Sequence, residues 1–194
     1  PSYQENYNYP YYESLFEAQG YKRSFEQTTS EVIPAELDLS FIDAILARTA
    51  KYGLDVQTKH LRFVEQETLI ADFVAIYNRA WKQHTFYKPL SIPQVRGLFK
   101  RMKHIIREDM MWFTYVNGDP AAFYISVLEF NQVFKKMKGK FNWLAKLKFL
   151  YYKKRLKHRK TRGLVFGVVP EYQGKGVYLT MMREMFEVFR QDPH

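Results

Sequence analysis

Apolar residues along the chain recur either every three to four positions or every two, and the switches between these rhythms mark out the elements. Residues 11–19 read as a short helix with Gly20 just past its end, and residues 21–32 as extended chain. Pro34 suits a first helical turn; Leu37, Phe41, Ala44 and Ile45 then keep one apolar face through to Tyr52, and Gly53 stops the helix. Alternation around Leu61 and Phe63 predicts a strand over residues 59–65. Leu69, Phe73, Ile76, Tyr77 and Ala80 return to helical spacing and end near Trp81. After the loop 82–90, Ser91 can cap a helix whose buried stripe is Val95, Leu98, Phe99, Met102 and Ile106. Residues 110–116 and 121–128 read as strands joined through Asn117-Gly118, a strong hairpin signal. From Trp143 the pattern is helical again, with Trp143, Leu147, Leu150 and Tyr151 on one face, expected to pack on the domain. The last pair is a β-branched run, 164–169, ended by Pro170, and a helix carrying Tyr178, Met181, Met182, Met185 and Phe189 on one side.

Between that strand and that helix lies the turn Gln173-Gly174-Lys175-Gly176-Val177. Two glycines let backbone N–H groups approach a ligand closely, and the helix that follows aims its unpaired amides and positive dipole end at the same point. Such a combination suits an anion, and a diphosphate is its usual occupant.

The longer run Val168-Val169-Pro170-Glu171-Tyr172-Gln173-Gly174-Lys175-Gly176 resembles the acyl-coenzyme A signature of the GNAT superfamily of N-acyltransferases. That signature is Gln/Arg-x-x-Gly-x-Gly/Ala, commonly preceded by Val-x-Pro-x-Tyr. Gln173, Gly176 and the lead-in fit it, whereas Tyr178 stands where Gly or Ala is expected. The resemblance implies an α/β (α+β) fold with a mixed, mostly antiparallel central sheet flanked by helices. It also implies acetyl-CoA or another acyl-CoA as cosubstrate, and an amine as acceptor. The diphosphate would be held by the amides of Gln173, Gly174, Lys175, Gly176 and Val177, and the thioester carbonyl by backbone N–H of Val168 and Val169. The run Tyr11-Tyr12-Glu13-Ser14-Leu15-Phe16-Glu17-Ala18-Gln19-Gly20-Tyr21 is similar to the last helix and following strand of a GNAT domain. Residues 1–33 are therefore expected to be the tail of a preceding GNAT-like unit or a sheet-completing segment, and 34–58 a helical connector. Residues 59–194 would be an acyl-CoA-binding domain lacking its C-terminal part, and the whole a piece of a longer protein.

Charge changes this picture in one place. The formal charge is +10, yet residues 131–170 contain no Asp or Glu and contribute +13, so the remainder nets −3. GNAT domains usually have a short turn there, so about thirty residues form a basic helical insertion. Lys/Arg-rich 135–162 could be an insertion helix packed by its aromatic face and solvated elsewhere, a surface for anionic membrane, or a site for nucleic acid or another anionic partner, although no nucleic-acid module is recognisable. With any of these, positive charge near the cofactor mouth could also steer the cofactor's phosphates. Zero cysteines and five scattered histidines give no disulfide framework and no metal-ligand spacing. No apolar run is long enough to span a bilayer. The expected setting is cytoplasmic, with the basic helix as a route to peripheral membrane contact.

An acceptor ammonium must lose a proton, which needs a carboxylate, a tyrosine or a water chain. Residues 162–169 hold no acid. Glu129 is a candidate base or an ordinary strand-end carboxylate, Tyr124 reads as core or cleft wall, and no catalytic residue is assigned. Three readings remain: an acyl-CoA-dependent N-acyltransferase, a GNAT-like binding module without catalysis, and a membrane or anion binder acting through residues 143–160.

Overall fold

The computed structural model of the chain describes residues 8–26, 28–60, 62, 65–102, 106–137, 142–155 and 160–191. Its helices are α1 (Tyr11–Ala18), α2 (Ser40–Thr49), α3 (Gln66–Ala80), α4 (Ile92–Met102), α5 (Asn131–Met137), α6 (Trp143–Lys154) and α7 (Val177–Gln191). Its strands are β1 (Val56–His60), β2 (Met111–Val116), β3 (Asp119–Leu128) and β4 (Thr161–Val168). These elements fall into two units, Pro34–Leu128 with Leu156–His194, and Pro1–Ile33 with Glu129–Arg155. The expected boundary at residue 59 lies inside the larger unit, because α2 packs on α7 and ties the segment before β1 to the sheet's cover.

The larger unit is built on an antiparallel sheet in the order β1-β2-β3-β4. Asn117 and Gly118 both take positive φ, 52° and 86°, and turn β2 directly into β3 as the dipeptide predicts. Successive strand residues point to opposite faces. Phe123 points to α3, its ring 4.8 Å from that of Phe73, while Phe166 points to α7 and meets Tyr178 at 5.2 Å. Helices therefore cover both faces, giving the mixed α+β arrangement expected. Leu69, Ile70, Ile76, Phe113, Phe123, Met181 and Met185 are sealed between the layers. From β1 to α7 the order is strand, two helices, hairpin, two further helices, strand, glycine turn and helix.

Three expectations shift. The first strand is Val56–His60 and not 59–65, since it pairs in register with β2 from Val56↔Val116 to His60↔Trp112. Its inward positions are Val56, Thr58 and His60, which carry too little hydrophobicity to announce a strand; Leu61 and Phe63 lie outside the described residues. The helix expected over 34–52 is broken. A 3-10 turn, Pro34–Glu36, precedes α2, and Asp38 receives both the amide and the hydroxyl of Ser40 at 2.9 and 2.7 Å. The helix starts afresh at Ser40 in a new phase, so Leu39, Ile42 and Ile45 face inward while Phe41 is exposed. The third shift is a β-bulge in β4. Ile125 faces Val165 and Ser126 faces Gly163, leaving Leu164 as an extra, unpaired residue.

One polar tie pins α3 to the sheet. The Tyr115 hydroxyl donates to the Asp72 carboxylate at 2.6 Å, and burial, then this carboxylate, hold the phenol far above its usual range. Tyr115→Phe is expected to cost about 1.5 kcal/mol, the usual worth of a hydrogen bond to a charged group, read from urea melts. A loss no larger than that of an exposed Tyr→Phe control would show that this bond contributes nothing.

In the smaller unit, α5 and α6 pack through Phe130, Phe134 and Phe149, whose ring centres lie 5.6 to 6.3 Å apart. Asn142 caps α6 by accepting the amide of Ala145 at 2.9 Å. The face buried is the one carrying Ala145, Phe149 and Tyr152, whereas the expected packing face, Trp143, Leu147, Leu150 and Tyr151, is exposed. The helix has apolar residues on two sides, and Phe130 and Phe134 select one of them.

Candidate active site at the glycine turn and the edge of β4

Val169 follows β4 in extended backbone, φ −61° and ψ 143°, and Pro170–Tyr172 make a single 3-10 turn that leads to the glycines. Gly174 and Gly176 take φ +73° and +83°, a region that costs other residues dearly. The surroundings of the two differ. A Cβ on Gly174 would meet nothing within 4 Å, while one on Gly176 would lie 2.4 Å from Oγ1 of Thr49, at the end of α2. Gly176 thus has a packing reason to be glycine, and Gly174 has only its dihedral and whatever approaches from outside.

The amides of Gln173 and Lys175 close local turns onto the carbonyls of Pro170 and Tyr172, both at 3.3 Å. Thr180 makes the first bond of α7, to the Gly176 carbonyl at 3.0 Å. Among the described residues, none accepts a hydrogen bond from the amides of Gly174, Gly176, Val177, Tyr178 or Leu179. Five donors thus gather where the dipole of a fifteen-residue helix is positive. Lys175 adds a full charge, its Nζ 5.9 Å from the ring centres of both Tyr52 and Tyr172. Glu171 is neutralised locally: its own amide and then the Arg79 guanidinium, 3.0 Å away, hold its carboxyl below the usual range.

β4 is an edge strand, and its backbone alternates between β3 and the open side. The Val169 amide donates to the Ala121 carbonyl at 2.9 Å, so it faces β3 and is already engaged. One residue earlier the parity reverses. The Val168 carbonyl accepts from Nε2 of Gln173 at 3.0 Å, and the Phe166 carbonyl from Nε1 of Trp81 at 3.3 Å. The N–H groups of Val168 and Phe166 face the same open edge as their carbonyls. Of the two valines singled out from sequence, only Val168 offers its amide, and Phe166 is a second donor which the sequence did not reveal. Gln173 acts through its side chain, tying the turn to β4.

Beside this edge lies an aromatic wall of Tyr124, Phe166 and Tyr178. The Tyr124 hydroxyl lies directly over Gly163, where a Cβ would come within 2.6 Å of it. Burial pushes the Tyr124 phenol up; burial, then proximity to Tyr124, pushes the Tyr178 phenol up to about 12. Both phenols therefore stay protonated at neutral pH. Tyr178, the residue that departs from the GNAT pattern, directs its ring onto Phe166 and leaves its amide among the five donors. Glu129 has a structural task, since its carboxylate accepts the amide of Asn131 at 2.9 Å at the start of α5.

A second concavity lies at the other end of the sheet, an open cavity of about 480 Å³ lined by His60, Ile106, Arg107, Glu108 and Asp109. Asp109 is paired with Arg107, and the His60 ring meets Trp112 at 5.5 Å. His60, Trp112, Tyr124 and Phe166 are in register across the four strands. With strands about 4.8 Å apart, the cavity is roughly 14 Å from β4, too far for direct proton transfer there. No spacing in the sequence marked it. Among the described residues, no three His, Cys, Asp or Glu side chains are grouped to hold a metal ion.

No protein-family model matches the chain. It is 28% identical over 111 residues to a bacterial ceramide synthase of Caulobacter vibrioides, covering 55% of this chain but only 29% of that protein's length. Among solved structures it is similar to an N-acetyltransferase from Staphylococcus aureus Mu50, at 17% identity and a TM-score of 0.40 over 71% of this chain and 68% of that one. A mutant agmatine N-acetyltransferase in its apo form aligns at 12% identity and 0.41, over 72% of each chain. A Drosophila melanogaster polyamine N-acetyltransferase aligns at 13% and 0.41, over 72% and 73%.

Proposed function

We propose that the chain is the acyl-CoA-binding part of a GNAT-type N-acyltransferase. The observation that carries this reading is the cluster of five unpartnered amides at the start of α7, set next to an edge strand with outward N–H groups at Val168 and Phe166. Gly174, Gly176 and Val177 would bind the diphosphate through their amides, and Lys175 through its charge; Gln173 would hold the turn against β4. An outward amide on β4 would donate to the thioester carbonyl oxygen and stabilise its developing charge as the amine nitrogen attacks. The carbon–sulfur bond then breaks, and the thiolate takes up the proton that the amine releases.

The acceptor we infer is an amine borne on a long-chain lipid. Two facts support this choice: the name of the relative, a ceramide synthase, and the exposure of Leu164 and Phe166 beside the edge. Calorimetry of the chain with acetyl-CoA and with a long-chain acyl-CoA tests binding, and mass spectrometry with a long-chain amino alcohol against agmatine tests transfer. Micromolar binding and an N-acylated lipid product are expected. Absence of binding at millimolar acyl-CoA would sink the reading. Binding without turnover on any amine would favour a module that holds acyl-CoA without catalysis, a reading supported by the structural use of Glu129.

A further inference from the structure

The face of α6 that the fold leaves uncovered has a definite composition. Trp143, Leu144, Leu147, Leu150 and Tyr151 are 48% to 69% exposed. At 3.6 residues per turn these five positions span an arc of about 120°, a continuous apolar stripe along the twelve-residue helix. Lys146 and Lys148 project about 40° beyond either border of that stripe. The opposite side is anchored by Ala145 and by Phe149 stacked on Phe134, with Lys136 of α5 5.2 Å over the Tyr152 ring. The exposed side is therefore presented by a fixed helix. The segment around it, residues 131–170, carries thirteen basic residues and no acid.

We propose that α6 lies in the surface of an anionic lipid bilayer, with the Trp143–Tyr151 stripe in the headgroup–acyl boundary and the flanking lysines on lipid phosphates. Charge complementarity selects this occupant. A second copy would bring a like-charged segment face to face, and a nucleic acid would use the lysines but leave five large apolar side chains in water. Trp and Tyr, present at the two ends of the stripe, are the side chains that favour the interfacial depth. No helix among the described residues is long and apolar enough to cross a membrane, so the contact is peripheral.

The test is sedimentation of the whole chain, without acyl-CoA, on vesicles of phosphatidylcholine alone or with roughly one-third phosphatidylglycerol, an anionic fraction sufficient to attract basic segments. Binding to the anionic vesicles and little to the neutral ones is expected, with a blue shift of tryptophan emission that Trp143→Phe removes. Leu147→Glu/Leu150→Glu and Lys146→Glu/Lys148→Glu should each weaken binding about tenfold or more. Both pairs are exposed, so circular dichroism and melting should be unchanged. Failure of the parent chain to bind, or unchanged binding by a folded leucine variant, overturns the proposal. So does a concentration-dependent dimer that Leu147→Glu/Leu150→Glu dissolves, or oligonucleotide binding indifferent to those leucines. As acyl-CoA is absent, these outcomes are independent of the acyltransferase reading.

Discussion

Gly176→Ala is expected to lower the melting temperature by about 9 °C, and Gly174→Ala by about 3 °C, although the two lie two residues apart in the same turn. Both positions have φ between 70° and 90°, and forcing a Cβ into that region costs about 1 kcal/mol at either. At Gly174 nothing else is charged, because the space around the new methyl is empty. At Gly176 the methyl would arrive 2.4 Å from Oγ1, 3.1 Å from Cβ and 3.2 Å from Cγ2 of Thr49. Thr49 is the last residue of α2, and its hydroxyl already donates to the Leu46 carbonyl at 3.0 Å, so it cannot rotate away without losing that bond. Overpacking of this kind adds about 2 kcal/mol, and a chain of this size loses about 3 °C per kcal/mol. The affinities should order the other way round. A methyl at Gly174 stands in the open approach to five unpartnered amides, so acyl-CoA binding should fall at least about tenfold while the fold survives. If Gly174→Ala binds acyl-CoA like the parent chain, the turn's glycines serve geometry alone, and the cofactor reading loses its main support.

The contrast between these glycines shows what the sequence could and could not reveal. The turn itself was legible, because a strand-ending proline, two glycines and a following amphipathic pattern each have a local physical meaning. Asn117-Gly118 was legible for the same reason. What depends on partners distant in the chain was not. The difference between Gly174 and Gly176 is made by Thr49, which reaches the turn from α2. The difference between Val168 and Val169 is made by the Ala121 carbonyl, since the pairing with β3 decides which of two neighbouring amides is free. Nothing local to Val168-Val169 contains that information. Likewise α6 has two apolar sides, and Phe130 and Phe134, which meet Phe149, determine which is buried. Glu129 could be read as a base or as an ordinary carboxylate; the amide of Asn131 gives it a cap's role that neither reading stated. β1 was misplaced because Thr58 and His60 fill inward positions, where hydroxyl pairs with hydroxyl and imidazole packs on indole. Such an interior is satisfied without being hydrophobic, and hydrophobic alternation does not detect it.

The position of β4, and hence of the open amides, rests on Phe123. This ring is fully buried, lies 4.8 Å from Phe73 of α3, and fills the space above Gly167, its register partner on β4. Phe123→Ala is expected to cost about 4 kcal/mol, equal to a drop of roughly 12 °C, because it removes a fully buried ring packed against Phe73 and Gly167. Gly167→Ala is the converse change. Its Cβ would lie 3.0 Å from Cε1 of Phe123 and 3.2 Å from Cβ of Ala80, so the ring or the strand must give way, at about 1 to 2 kcal/mol. If both costs arise from the same packed space, they cannot be additive. Shortening the ring relieves the clash, and the added methyl refills part of the cavity. Phe123→Leu combined with Gly167→Ala should be more stable than the sum of the single losses by at least about 1 kcal/mol, the size of coupling found for residues in contact. Urea melts of the four proteins measure this directly. Additive costs within about 0.4 kcal/mol would mean that Phe123 does not set the approach of β4 to α3, and the edge's geometry would then need another support.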